Sequence, residues 1–162
     1  MYRFVLIQVA IFAGCGSETL SVQGEVVAVV DGVAAGFDLA TRRELEELAG
    51  VDSDLYGSCR IGRDDAGETQ AIVTISRPPG GEPDAIVRSF SMILDADETG
   101  RGALTAGEVL YSSGSRRCEL MIERISRGDA AVAFGFDCEL ENSSGGRALM
   151  AGELSFRGCF VD

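Results

Sequence analysis

Histidine, lysine and tryptophan are missing from this chain of 162 residues, and the first two absences exclude several kinds of chemistry. Without histidine there can be no Ser-His-Asp triad, no Cys-His nucleophile and no histidine-ligated zinc. Without lysine there can be no Schiff-base intermediate and no Walker lysine. The catalytic systems that need these side chains are therefore excluded.

Positive charge is also scarce. The chain has 26 acidic residues against 14 basic ones, all arginine, for a net charge of −12. Nucleic-acid binding depends on basic contacts to phosphates, so we expect no nucleic-acid partner, and an anionic membrane surface is a poor partner for the same reason. A hydrophobic content of 46% argues against a disordered polymer, and the length fits one domain.

The N-terminus carries only a short apolar run. Arg3 precedes residues 4–13, which are apolar except for Gln8. A membrane-spanning helix needs ~20 residues, so this run is too short to span a bilayer. It fits the hydrophobic region of a secretory signal, which is typically 7–15 residues long.

The residues that end this run are Phe12, Ala13, Gly14 and Cys15. They resemble the lipobox of bacterial lipoproteins, in which small residues precede a cysteine that becomes diacylated after cleavage. Phe12 departs from the pattern, which usually has leucine there. The resemblance implies a signal peptide over residues 1–14, a lipidated tether over 15–23 and a membrane partner reached through the lipid. A plain secretory signal and an N-terminal core strand remain open.

The five cysteines leave an odd one in an exported protein. If Cys15 carries the lipid, Cys59, Cys118, Cys138 and Cys159 remain for two disulfides, with three possible connectivities. Export to an oxidising compartment favours disulfides. Buried free thiols in a cytosolic protein are the alternative. A zinc site is disfavoured because close Cys-x-x-Cys pairs are missing.

The hydrophobic pattern narrows the connectivity. Residues 118–122 and 132–140 alternate between large apolar and mostly polar or small side chains, and a turn cluster lies at 127–129. A hairpin around this turn sets Cys118 opposite Cys138, at a spacing that a disulfide accepts. We therefore predict Cys118–Cys138 and, by elimination, Cys59–Cys159.

Strand signals continue along the rest of the chain. Asp31–Gly32 is a two-residue hairpin signal, and a turn near residue 144 sets 140 opposite 148 and 138 opposite 150. The predicted strands cover residues 26–30, 33–37, 56–63, 70–77, 86–94, 104–111, 118–122, 132–140 and 148–156. We predict an all-β domain over residues 24–162, an antiparallel meander of about nine strands that forms a sandwich or barrel.

One short helix is predicted within this domain. Thr41–Arg42–Arg43–Glu44 matches a capping box, so the helix should run over residues 41–49 and end at Gly50. The closing run Gly135–Phe136–Asp137–Cys138 and the paired cysteines resemble small bacterial lipoproteins of unassigned function. That resemblance implies no activity.

Residues 95–101 resemble the start of an EF-hand calcium loop, with oxygen-bearing side chains at alternate positions before a glycine. The candidate ligands are Asp95, Asp97, Thr99 and Glu108. The match is incomplete because the twelfth position is Ala106 instead of glutamate. An acidic, solvated hairpin loop is the alternative. We expect no cofactor apart from this candidate Ca²⁺.

The predicted hairpin also groups acidic side chains. Glu119 and Asp137 should lie opposite each other on the outer face, with Glu139 and Glu153 nearby. Like charges in opposed positions destabilise a sheet, and a cation, a basic partner or water alone could offset them.

These features predict a non-enzymatic domain in the bacterial cell envelope, lipid-anchored or secreted. We expect a binding or structural role with an unknown envelope or extracellular ligand. Two alternatives remain open: a small hydrolase that uses carboxylates, and a carrier with a small-ligand cavity inside the barrel. No G-x-S-x-G, S-x-x-K or H-E-x-x-H motif is present.

Overall fold

The computed structural model of the chain describes residues 19–45, 54–78, 86–95, 97–114 and 118–162. About 75% of it is strand, and the described residues contain no helix. The eleven strands are β1 Leu20–Val30, β2 Val33–Leu45, β3 Tyr56–Arg63, β4 Thr69–Ser76, β5 Val87–Asp95, β6 Thr99–Ala106, β7 Val109–Ser112, β8 Cys118–Ser126, β9 Ala131–Glu141, β10 Arg147–Arg157 and β11 Phe160–Val161.

The strands form one sheet in the order β11-β3-β4-β5-β6-β7-β9-β10-β1-β2, and β8 pairs with β6 and β9. Strands β3 to β10 are therefore an antiparallel meander, in which β7 and β8 share the position between β6 and β9. The sheet curls into a small closed barrel, with outer strands in a sandwich-like arrangement. The prediction of an all-β sandwich or barrel is confirmed.

The C-terminal segment connects β10, near one end of the strand order, with β11 at the other end. After β10 the chain turns at Gly158, and β11 pairs in parallel with Arg60 and Ile61 of β3. The predicted Cys59–Cys159 disulfide is present, with a Cα–Cα distance of 4.7 Å. It ties the end of β10 to the first strand of the meander.

The predicted hairpin register is also confirmed. Leu120 lies opposite Phe136 and Ile122 opposite Phe134. Disulfide Cys118–Cys138 joins the two strands with a Cα–Cα distance of 4.5 Å. The next hairpin has the predicted pairs as well, which are Ala148–Leu140 and Met150–Cys138.

Large side chains fill the interior. Phe90, Phe134 and Phe156 are fully buried, and the ring centroids of Phe90 and Phe136 are 5.3 Å apart. Burying such a side chain contributes about 1.5–3 kcal/mol, so this row of rings is a main source of stability.

Two glycines permit the tight curvature around β1. A Cβ at Gly36 would lie 1.8 Å from the Val26 carbonyl oxygen, and one at Gly152 would lie 2.1 Å from the Glu25 carbonyl oxygen. No side chain fits at such distances. Glycine within a strand is typical of places where the sheet bends sharply and another backbone approaches closely.

The predicted helix over residues 41–49 is wrong where the structure describes it. Residues 41–45 complete β2, in which Arg43 pairs with Val22 and Glu44 with Ser21. Residues 46–49 lie outside the described residues. Residues 43–45 pair with β1, residues 40–42 form a β-bulge in the register, and this tertiary pairing outweighs local propensity.

Two predicted boundaries also change. The strand expected over residues 104–111 is interrupted by a turn at Gly107 and Glu108, which separates β6 from β7. Residues 20–23, expected in the tether, belong to β1, and Leu20 and Val22 are buried. Among the described residues there is no helix long and apolar enough to cross a membrane.

Candidate functional site

The outer surface of β10, β1 and β2 carries a group of exposed apolar side chains. Val29 lies between Leu149 and Ala34 on the neighbouring strands, and Val27 lies beside Ala151. We call these five residues the apolar patch. Leu149 is 51% exposed, Val27 46% and Val29 37%, so no other described residue covers them fully.

Carboxylates border this patch on two sides. In the next row along the strands, Glu25 lies directly opposite Glu153 on one side and Asp38 on the other. On the β8–β9 side, Glu119 lies opposite Asp137, as the sequence predicted. We call these five residues the acidic border. The expected neighbours are also present, since Glu153 is part of the border and Glu139 pairs with Leu149 of the patch.

Within the described residues, no arginine compensates the acidic border. Ion pairs formed within the described residues include Arg43–Asp54, Arg60–Asp162, Arg124–Asp129 and Arg147–Glu141, and none includes a border carboxylate. Cross-strand side-chain pairs contribute roughly 0.2–1 kcal/mol each, and like charges in opposed positions are destabilising. The three opposed pairs of the border therefore oppose folding.

A methionine lies inside the border. Met121 of β8 is 66% exposed, and its methyl carbon is 3.0 Å from the point where a Cβ on Gly135 would stand. The side chain thus covers Gly135. Beside it is an open depression of about 510 Å³ lined by Glu25, Glu119, Met121, Phe136, Asp137, Gly152 and Glu153. A flexible apolar side chain in such a place adapts readily to the shape of a partner.

The four predicted calcium ligands are not brought together. Asp95, Asp97 and Thr99 lie at the β5–β6 turn, whereas Glu108 lies in the β6–β7 turn, at the opposite end of β6. Eight residues of strand separate the two turns, a distance of about 25 Å at 3.3 Å per residue. Glu108 therefore cannot complete the site, and the proposed set of four is wrong as a single site.

The remaining three candidates take part in local hydrogen bonds. The hydroxyl and the backbone N–H of Thr99 both donate to Asp97 Oδ1. Gln70 Nε2 donates to Asp95 Oδ1 at 2.7 Å. Within the described part of the chain, no group of three or more acidic or cysteine side chains is arranged to hold a metal ion.

Asp95 and Asp97 also line a charged cleft of about 740 Å³, which is larger than the depression beside Met121. The cleft lies at the turns that join β3 to β4 and β5 to β6, and its lining consists of Arg63, Asp64, Asp65, Ala66, Glu68, Gln70, Asp95, Asp97 and Arg101. Asp64 Oδ1 accepts from the backbone N–H groups of Ala66 and Glu68, at 2.9 and 2.8 Å. Asp64 and Asp97 thus stabilise turns, and Asp95 takes part in a hydrogen bond between β4 and β5.

The four disulfide cysteines are buried, and the bonds link β8 to β9 and β3 to the connection between β10 and β11. The lipidation candidate Cys15 lies outside the described residues. The sequence did not reveal the full Glu153–Glu25–Asp38 row, because Glu153 joins it through the pairing of β1 with β10, which are far apart in the chain. One signal was available: residues 26–30 are apolar without alternation, although only every second side chain can face the core.

No protein-family model matches the chain, and comparisons with curated proteins and with solved structures also give no match. The functional argument therefore depends on the residues and their geometry.

Proposed function

We propose that this chain is a bacterial lipoprotein of the cell envelope, anchored through a lipid on Cys15, and that its β domain acts by binding instead of catalysis. The observation that carries the proposal is the use of the cysteines. Disulfides Cys59–Cys159 and Cys118–Cys138 account for four of the five, and the fifth stands at the lipobox-like position.

The two disulfides support an oxidising location outside the cytoplasm. Cys59–Cys159 has a sequence separation of 100 residues, and in the chain-entropy model such a link contributes about 4–5 kcal/mol. A domain that depends on this bond benefits from folding where disulfides persist. The same argument supports secretion without a lipid. Whether Cys15 carries a lipid therefore distinguishes an anchored lipoprotein from a secreted protein.

The start of β1 supports a short tether. Three residues separate Cys15 from Thr19, the first described residue, and β1 follows at Leu20. The Cα atoms of Cys15 and Thr19 can be at most about 14 Å apart, because an extended chain spans no more than about 3.6 Å per residue. A lipid on Cys15 would therefore hold the barrel close to the bilayer.

A binding role is favoured over the two alternatives. The filled interior gives little support to a carrier with a barrel cavity, and three carboxylates of the charged cleft, Asp64, Asp95 and Asp97, are held in local hydrogen bonds. By contrast, the outer face of β8, β9, β10, β1 and β2 combines an exposed apolar patch with uncompensated charge. Such exposed apolar surface is typical of interaction sites.

Metabolic labelling with an alkyne analogue of palmitate tests the anchor. We expect the wild-type protein to be labelled and to stay with the membrane fraction until detergent is added. The Cys15→Ala variant should be unlabelled and released.

Mass spectrometry of unreduced peptides provides the control, since both disulfides should persist in Cys15→Ala if the domain is intact. Equal labelling of the two proteins, or no labelling of either, would contradict the anchoring proposal.

A further inference from the structure

We propose that the apolar patch and its acidic border form a docking surface for a basic partner protein, one that presents arginine or lysine side chains around an exposed apolar centre. The proposal depends on the binding role inferred above but not on the lipid. Failure of palmitate labelling and failure of docking are therefore distinguishable results.

Strand β1 provides the first argument. Its residues 26–30 are apolar on both faces, but only one face meets the core. Val26, Ala28 and Val30 are buried, whereas Val27 and Val29 are exposed. Continuous apolar runs are typical of strands that are covered on both sides. The second face of β1 has the composition of a covered surface, and within the described structure nothing covers it.

The charge of the border indicates which kind of partner binds. The five border carboxylates form no ion pair within the described residues, so their negative potential acts on any molecule that approaches this face. A second copy meeting this face through the same face would bring like charges together, because a two-fold interface joins identical surfaces. An anionic lipid surface would be repelled as well. A basic partner is attracted to this face, whereas a second copy of the chain and an anionic lipid surface are repelled by it.

The opposed carboxylates provide a third argument. Glu25 faces an acid on each side, and none of the ion pairs between described residues includes it. Like charges in opposed positions destabilise the sheet. An arginine or lysine from a partner would reduce this repulsion, and the reduced repulsion would add to the free energy of binding. The attraction should weaken with salt, since the charges are exposed.

The test uses synthetic heptapeptides as probes of this chemistry, with the ¹⁵N-labelled protein observed by NMR. The peptide Arg-Leu-Arg-Leu-Arg-Leu-Arg should shift the backbone amides of Val27, Val29 and Leu149. The same peptide with serine in place of the leucines, or with glutamate in place of the arginines, should bind at least fivefold more weakly. Equal binding of the serine peptide, or shifts confined to other strands, would overturn the proposal.

A matched pair of variants separates the border from net charge. Glu25→Gln/Asp38→Asn/Glu153→Gln should weaken binding of the basic peptide roughly tenfold, at about 0.5 kcal/mol for each exposed charge pair. The control Asp65→Asn/Glu68→Gln/Glu108→Gln removes the same charge from exposed turn positions and should change binding less than twofold. Equal weakening by both triple variants would contradict a specific surface.

A photo-crosslinking amino acid identifies the occupant in cells. Placed at Leu149, it should give an adduct with one basic protein, and the adduct should disappear in the triple border variant. Placed at Ile72, which is 39% exposed on β4, it should not give that adduct. A dimer of this chain, a lipid adduct or the absence of any adduct at position 149 would refute the proposal.

Discussion

Replacing Glu25 with glutamine should make the domain more stable. Glu25 lies in the middle of a row of three carboxylates, directly opposite Glu153 on β10 and Asp38 on β2. Glutamine has nearly the same size and hydrogen-bonding groups but no charge. The substitution thus removes two like-charge contacts at once while keeping the strand and its packing.

The magnitude follows from the two opposed pairs. A cross-strand pair contributes roughly 0.2–1 kcal/mol, so the loss of two repulsive pairs should raise the free energy of unfolding by about 0.5–1 kcal/mol. For a chain of this length, that corresponds to an increase in Tm of about 1–4 °C. Screening at about 1 M salt, where the Debye length is about 3 Å, should remove most of the difference.

Urea unfolding of wild type and Glu25→Gln at low and high salt measures the effect, with Glu108→Gln as the control. Glu108 is exposed in the β6–β7 turn, so its replacement makes the same change in net charge without a pair of opposed acids. Its stability should change by less than about 0.5 kcal/mol, as is usual for surface substitutions. An unchanged or lower stability of Glu25→Gln at low salt would refute the argument that the border carries a folding cost.

Two further changes test the barrel itself. Gly152→Ala should destabilise it by about 2–4 kcal/mol in urea unfolding, because the new Cβ would lie 2.1 Å from the Glu25 carbonyl oxygen. Gly128→Ala is the control, since a Cβ there meets no atom within 4 Å, and a small effect at Gly152 would mean that the strands can move apart. Removing Cys59–Cys159 by a double alanine substitution should cost about 4–5 kcal/mol, and removing Cys118–Cys138 about 3 kcal/mol, because the first closes the longer loop. The opposite order in calorimetry under oxidising conditions would show that loop entropy does not govern these bonds.

The part of the fold that could be predicted from sequence is the part in which neighbouring strands follow one another along the chain. Strands β8, β9 and β10 alternate in hydrophobicity and are joined by short turns, so their register and the Cys118–Cys138 bond followed from local pattern. The pairing of β1 with β10 joins opposite ends of the domain, and local pattern has no information about it. Glu153 joins the acidic row, and Leu149 and Ala151 join the apolar patch, only through that pairing.

The errors have the same origin. Residues 41–44 satisfy the capping-box pattern, but residues 43–45 pair with the start of β1, and this pairing outweighed the local signal. Glu108 fitted a calcium loop only by its position in sequence. The β6 strand carries it to the other end of the barrel. In both cases the sequence described a local possibility correctly, and long-range pairing decided the outcome.

Strand β1 connects the proposed anchor with the proposed docking surface. It begins at Leu20, and Val27 and Val29 lie seven and nine residues further along. At about 3.3 Å per residue, these two residues stand at most about 23 and 30 Å from the start of the curved strand. A tether of at most about 14 Å would hold that start near the bilayer, so the far part of β1 and its patch would be directed away from the lipid. The acidic border would strengthen this orientation, because an anionic bilayer repels it. The short tether and the uncompensated acids would then serve one arrangement, in which the lipid holds one end of β1 and leaves the other accessible to a basic partner.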